Sequence, residues 1–138
     1  MNKKAIKLFL RFAISVSFLS AVADRFGFWN KEVSAWGNWT NFLEYTKLIN
    51  PWFPDFLISP IGILATTAEF IFALCLIVGF KTELFARLSG YLLLVFALSM
   101  AFSTGIKGVF DYSVLSVSAG AFALSFMKEK YIELDNLI

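Results

Sequence analysis

Four stretches of this chain, residues 5–23, 57–80, 84–103 and 109–127, are almost free of charge, and each has the roughly 20 residues a helix needs to cross a hydrocarbon core of about 30 Å. That one feature restricts the fold more than any other, because only helices and closed barrels satisfy every backbone polar group in lipid. The sequence predicts an all-α membrane protein, an antiparallel up-down four-helix transmembrane bundle making one domain of residues 1–138. Composition agrees: 59% of the 138 residues are hydrophobic and 16% charged, against about a quarter charged in soluble domains.

The first stretch also has the layout of a secretory signal peptide, with Lys3, Lys4 and Lys7 before an apolar core and Ala21-Val22-Ala23 as a cleavage-type triplet. Arg11 carries the basic region deep into the segment, and a retained first span is the expectation. Basic residues then set the orientation. Lys3, Lys4, Lys7, Arg11, Lys81, Arg87, Lys128 and Lys130 fall on one side, and Arg25, Lys31, Lys47 and Lys107 on the other. Eight against four places both termini in the cytoplasm of a multi-pass protein in the bacterial inner membrane.

Several chemistries drop out. Cys75 is the one cysteine and lies in an apolar run, so no intrachain disulfide or paired-thiol redox motif can form. There is no histidine, which removes the commonest haem ligand and the usual imidazole metal sites. Phosphate-loop, dinucleotide and serine-hydrolase patterns are missing, and a net charge of +2 gives no reason to expect nucleic acid. No intrinsic cofactor and no metal are expected.

Between the first two spans lies the long connection 24–56, which holds all four tryptophans, Trp29, Trp36, Trp39 and Trp52. Trp36, Trp39, Leu43, Thr46 and Ile49 or Asn50 recur at helical spacing, so residues 38–49 are expected to form a short interfacial helix in this first extracytoplasmic loop, ended by Pro51. Tryptophan rings favour the headgroup level. The helix is either a lipid anchor or an aromatic lid in which Trp36 and Trp39 close the mouth of the bundle.

Ionisable residues at membrane depth are the informative positions, since a charge there costs about 3 kcal/mol or more and is usually paired, interior-facing or functional. Glu69 is the deepest and should face the interior. Arg11, inside the first span, is its expected partner. Glu69, Arg11 and Thr66 are the candidate ligand-binding or proton-linked residues. Asp24, Arg25, Lys107 and Asp111 end their spans on the far side, where two acids and two bases form an expected outer polar cluster, either a salt-bridged clamp or a polar site. No catalytic residue can be named.

Four segments in order, FLSAVADRFG (18–27), TTAEFIFALCLIVGF (66–80), KTELFARLSGYLLL (81–94) and GIKGVFDYSV (105–114), resemble the DoxX family of small four-helix membrane proteins over about residues 8–127. The resemblance implies a link to redox or thiol-stress chemistry, since members of that family include the membrane subunit of a thiosulfate:quinone oxidoreductase. It maps the family's intramembrane acid to Glu69 and its outer polar positions to Asp24, Arg25, Lys107 and Asp111. Three readings follow. The chain is a non-metal subunit or scaffold of a quinone- or thiol-linked redox complex with a quinone as ligand, not expected to catalyse alone. Alternatively it is a small proton-coupled transporter using Glu69, or a purely structural membrane protein. Expected partners are the lipid bilayer, membrane or periplasmic redox subunits and, as a homo-oligomer, further copies of itself.

Overall fold

The computed structural model describes all of residues 1–138 as helices joined by short connections, with no strand. Helix α1 (Lys3–Arg25) starts at Asn2, whose side chain accepts from the Ala5 amide at 2.9 Å, supplying one of the acceptors a helix start lacks. Helix α2 (Trp39–Ile49) starts the same way at Asn38, which accepts from the Asn41 amide at 2.8 Å, and it stops before Pro51. Helix α3 (Asp55–Val78) ends at Gly79, whose φ of 72° is the left-handed conformation that suits a helix terminus and costs glycine nothing. Helix α4 is Thr82–Ser103. Helices α1, α3 and α4 are each long and apolar enough to cross a membrane.

The fourth apolar segment departs from the expectation of one continuous span over 109–127. It is two helices, α5 (Ile106–Asp111) and α6 (Val114–Ser125), broken at Ser113, whose φ is +56°. A 12-residue helix spans about 18 Å, short of the roughly 30 Å core. The break follows from a turn centred on Asp111, Tyr112 and Ser113, where the Tyr112 and Ser113 amides bond to Gly108 and Phe110 carbonyls. Helix α6 then runs along α4. Gly90 makes the approach possible, since a Cβ there would meet the Phe122 ring at 2.9 Å, and the Gly90 carbonyl accepts from Ser118 at 2.8 Å.

Ile14, Phe18, Ala73, Leu76, Ala86, Ala121 and Leu124 make the main core between α1, α3, α4 and α6. Ile49, Ala97, Met100 and Val109 make a second one beneath α2. Outside, Phe9, Val16, Leu64, Phe70, Val95 and Phe102 are exposed, an apolar surface suited to lipid and far larger than a monomer in water tolerates. Residues 128–138 return to the first turns of α1, where Lys7 donates to the Glu129 carbonyl at 2.7 Å. Both chain termini therefore lie at one end of the bundle, with α2 and its loop at the other.

Candidate functional site

Arg25 and Glu69 are the centre of the loop end. Helix α1 runs to Arg25, two residues past the predicted span, and aims that side chain at α3. Thr66 and Glu69 stand three apart, on one face of α3. Arg25 Nη1 donates to Thr66 Oγ1 at 2.7 Å and Nη2 to Glu69 Oε1 at 2.9 Å. Glu69 Oε2 lies 2.8 Å from the same Nη2 without good hydrogen-bond alignment. Arg25 is 2% exposed and Glu69 1%, so this is a desolvated ion pair.

An aromatic roof excludes water from it. The guanidinium lies over the Phe42 ring at 4.0 Å and the Trp36 ring at 5.3 Å, contacts that gain strength when desolvated. Asp24, the neighbour of Arg25, holds the roof in place. Its carboxylate accepts from the amides of Ala35, Trp36 and Gly37 at 2.7, 3.3 and 3.1 Å, folding the loop back over the helix end. From the other side, Gly62 lets α2 settle onto α3: a Cβ there would stand 2.6 Å from Leu43 and 3.3 Å from Phe42. Burial of the Tyr45 phenol, with a further contribution from Tyr112, pushes its pKa above the usual value.

Thr66 joins this pair to the outside. A groove of about 480 Å³ runs between α1 and α3, lined by apolar side chains that include Leu19, Val22, Phe26 and Phe70, with Thr66 and Thr67 as its polar members. The Thr66 hydroxyl accepts from Arg25. It makes no bond back to its own helix, unlike Thr46, which donates to the Phe42 carbonyl at 2.8 Å. Its proton is free for a ligand acceptor. No three His, Cys, Asp or Glu side chains lie close enough to hold a metal ion.

Two expectations from sequence are corrected. Arg11 is not the partner of Glu69. It donates to the Leu76 and Ile77 carbonyls of α3 at 2.8 Å each, and to Tyr131 and Ile132 at 3.1 and 2.8 Å. From that level Glu69 is seven to eight residues further along α3, roughly 11 Å away. The outer cluster is also dispersed. Asp24 binds loop amides and Arg25 binds α3, while Lys107 and Asp111 pair only with each other at 2.6 Å, exposed on α5. Trp36 and Trp39 both pack on Phe42, at 5.3 and 5.2 Å, and Trp39 also stacks on Phe26 at 5.7 Å.

Phe42, the ring nearest the guanidinium, escaped the sequence reading. The helical face expected from sequence, Trp36, Trp39, Leu43, Thr46 and Ile49 or Asn50, includes the buried Thr46 and Ile49 and omits the buried Phe42. Glu133 and Asp135 escaped it as well, because a polar tail after the last span carries no periodic signal.

No family model, curated protein or solved structure matches this chain.

Proposed function

We propose that this protein is a DoxX-like, non-metal subunit or scaffold of a membrane redox complex that binds a quinone at the α1–α3 groove. In this reading α5 and α6 together make the fourth crossing of an up-down-up-down bundle. The protein resides in a bacterial inner membrane with both termini cytoplasmic, as its eight-to-four basic asymmetry favours. The observation that carries the proposal is Thr66, a hydroxyl with a free proton standing between a desolvated Arg25–Glu69 pair and an apolar groove. Quinones are flat, carry carbonyl acceptors and drag an isoprenoid tail. The Thr66 hydroxyl, made more acidic in character by the arginine it accepts from, suits the carbonyl, and the groove suits the tail.

This chain then binds and positions, and the electron donor belongs to a partner subunit. The proton-coupled transporter reading is weakened by Arg25, whose charge lies within 2.9 Å of both oxygens of the one deep acid and favours its ionised form. Mass spectrometry of lipophilic molecules that copurify with the protein tests the proposal. A quinone retained by the native chain and lost from Thr66→Val supports it. Equal quinone in both, or none in the native chain together with pH-gradient-driven uptake in liposomes, sinks it.

A further inference from the structure

The termini end of the bundle holds a second charged site, far from Thr66 and independent of any quinone. Lys7 and Arg11 stand one helical turn apart on α1, 2% and 0% exposed. The Glu133 carboxylate of the tail reaches between them, its Oε1 2.8 Å from Lys7 Nζ and 3.7 Å from Arg11 Nη1. Two residues on, Asp135 accepts from the Lys81 amide at 2.6 Å and the Thr82 amide at 2.9 Å. Those amides begin the 22-residue α4, the positive end of its dipole. Gly79 makes room for the tail, since a Cβ there would meet Arg11 Nη2 and the Glu133 backbone at 2.7 Å.

Three features distinguish this contact from ordinary terminal packing. Arg11 and the two amides hold their places without the tail, Arg11 fixed by the Leu76 and Ile77 carbonyls and the amides belonging to the start of α4, whereas Lys7 finds its partners in the tail alone. The tail is held by polar contacts, because Ile132, Leu134, Leu137 and Ile138 are exposed. Lastly, Ile132 has φ +48°, a left-handed conformation that is a genuine outlier for a β-branched residue and persists only where its surroundings impose it. Polar bonds at either side of Ile132 force a strain that opening would release.

We propose that this end of the bundle is an acceptor site for an acidic segment with two carboxylates two residues apart. The chain's own Glu133-Leu134-Asp135 fills it as a displaceable clasp, and an acidic peptide from a partner can take its place. Closed, the clasp ties α1, the α3–α4 turn and the tail together. Open, it presents Lys7, Arg11 and two free helix amides to a partner.

Limited tryptic cleavage after Lys130 of the full-length protein in micelles tests this, because cleavage of a locally opened segment tracks the open population. Glu133→Gln should speed that cleavage by roughly tenfold or more, as loss of a buried charge partner is costly. Ile132→Asn should slow it by about threefold, since asparagine tolerates the left-handed region. The lysine-free peptide YIELDN, added in excess to the native chain, should speed it, while the same peptide with its Glu replaced by Gln should not. Wild-type cleavage rates in Glu133→Gln, or faster cleavage in Ile132→Asn, overturn the clasp. Indifference to saturating YIELDN overturns the acceptor site. If Glu133→Gln is cut throughout its loops and so has lost its fold, Ile132→Asn and the peptide decide alone.

Discussion

Replacing Arg25 by methionine should be among the most damaging single changes in the protein, and the structure says through which partner. The substitution keeps an unbranched apolar stem and removes the guanidinium with its charge. It deletes the bonds to Thr66 at 2.7 Å and Glu69 at 2.9 Å, each charge-assisted and worth about 1.5–3 kcal/mol. It also removes the cation over Phe42 and leaves Glu69, 1% exposed, without a counter-charge. Breaking a buried pair from one side costs about 3–5 kcal/mol, and that is the loss expected. Replacing Glu69 by methionine as well should recover most of it, because a well-packed apolar pair avoids both desolvation costs. Unfolding midpoints in mixed micelles for the two single variants and the double variant give the coupling, expected at roughly 2 kcal/mol or more. The same cycle with Arg11→Met and Glu69→Met should give a coupling within about 0.5 kcal/mol, since the two side chains share no partner and lie about two helical turns apart. A coupling that appeared with Arg11 and not with Arg25 would refute the register of α1 against α3. Should the native chain retain the proposed quinone and the Arg25→Met, Glu69→Met double variant retain it equally, Glu69 is a packing lock and the proposed binding role rests on Thr66 alone.

Asp24→Asn should destabilise the loop end by about 1–3 kcal/mol, because three amides lose a charged acceptor, and tryptophan emission should shift to the red; unchanged emission would separate Asp24 from the roof. Gly62→Val should push α2 off α3 and make Trp36 and Trp39 more accessible to aqueous quenchers, with no change in accessibility as the contrary result. For topology, Lys47→Cys, exposed on α2, should label from outside intact cells, and labelling only after permeabilisation would reverse the orientation. The tail should loosen in acid. Burial alone would raise the Asp135 carboxyl, yet the Thr82 and Lys81 amides, with Lys130 nearby, hold it below the usual range. Its contribution is present above the ordinary aspartate pKa and disappears as pH falls through the lowered folded value. Hydrogen-exchange protection of the Lys81 and Thr82 amides should fall over that window, and less so in Asp135→Asn.

What could be read from sequence followed from length and periodicity. The three long spans, the helix at 38–49 and its stop before Pro51 rest on signals contained within about 20 residues. The interior position of Glu69 followed from the cost of a charge in lipid. Pairing did not follow, because it depends on helix register. Counting depth from assumed span ends put Arg11 near Glu69, while α1 in fact continues to Arg25, whose side chain turns back along α3. Phe42 was missed for a similar reason. The face through Trp39 and Leu43 does meet α3 at Gly62, but Phe42, the neighbour of Leu43, is turned far enough inward to reach Arg25 as well. Nothing local marks Glu133 as buried, since its partners, Lys7 and Arg11, lie at the other end of the sequence.

The two arginines of α1 explain how a chain with so few charges fixes its helices. They stand 14 residues apart, about 21 Å along the helix, and each finds its acceptors on α3. Arg11 uses the backbone carbonyls near the end of α3, Leu76 and Ile77, groups that a helix terminus leaves without intrahelical donors. Arg25 uses the side chains of Thr66 and Glu69, in the helix interior where no carbonyl is free. Antiparallel helices whose contact is otherwise apolar can slide by a turn at small cost, since lipid tails substitute for leucine. A slide of α1 by one turn, about 5.4 Å, would strand two buried guanidinium groups at once. The arginines therefore hold register at both ends, and they hold it differently: backbone carbonyls cannot be lost by mutation, whereas Thr66 and Glu69 can. That asymmetry makes the loop end the one whose chemistry is open to change, and it is the end that faces the groove.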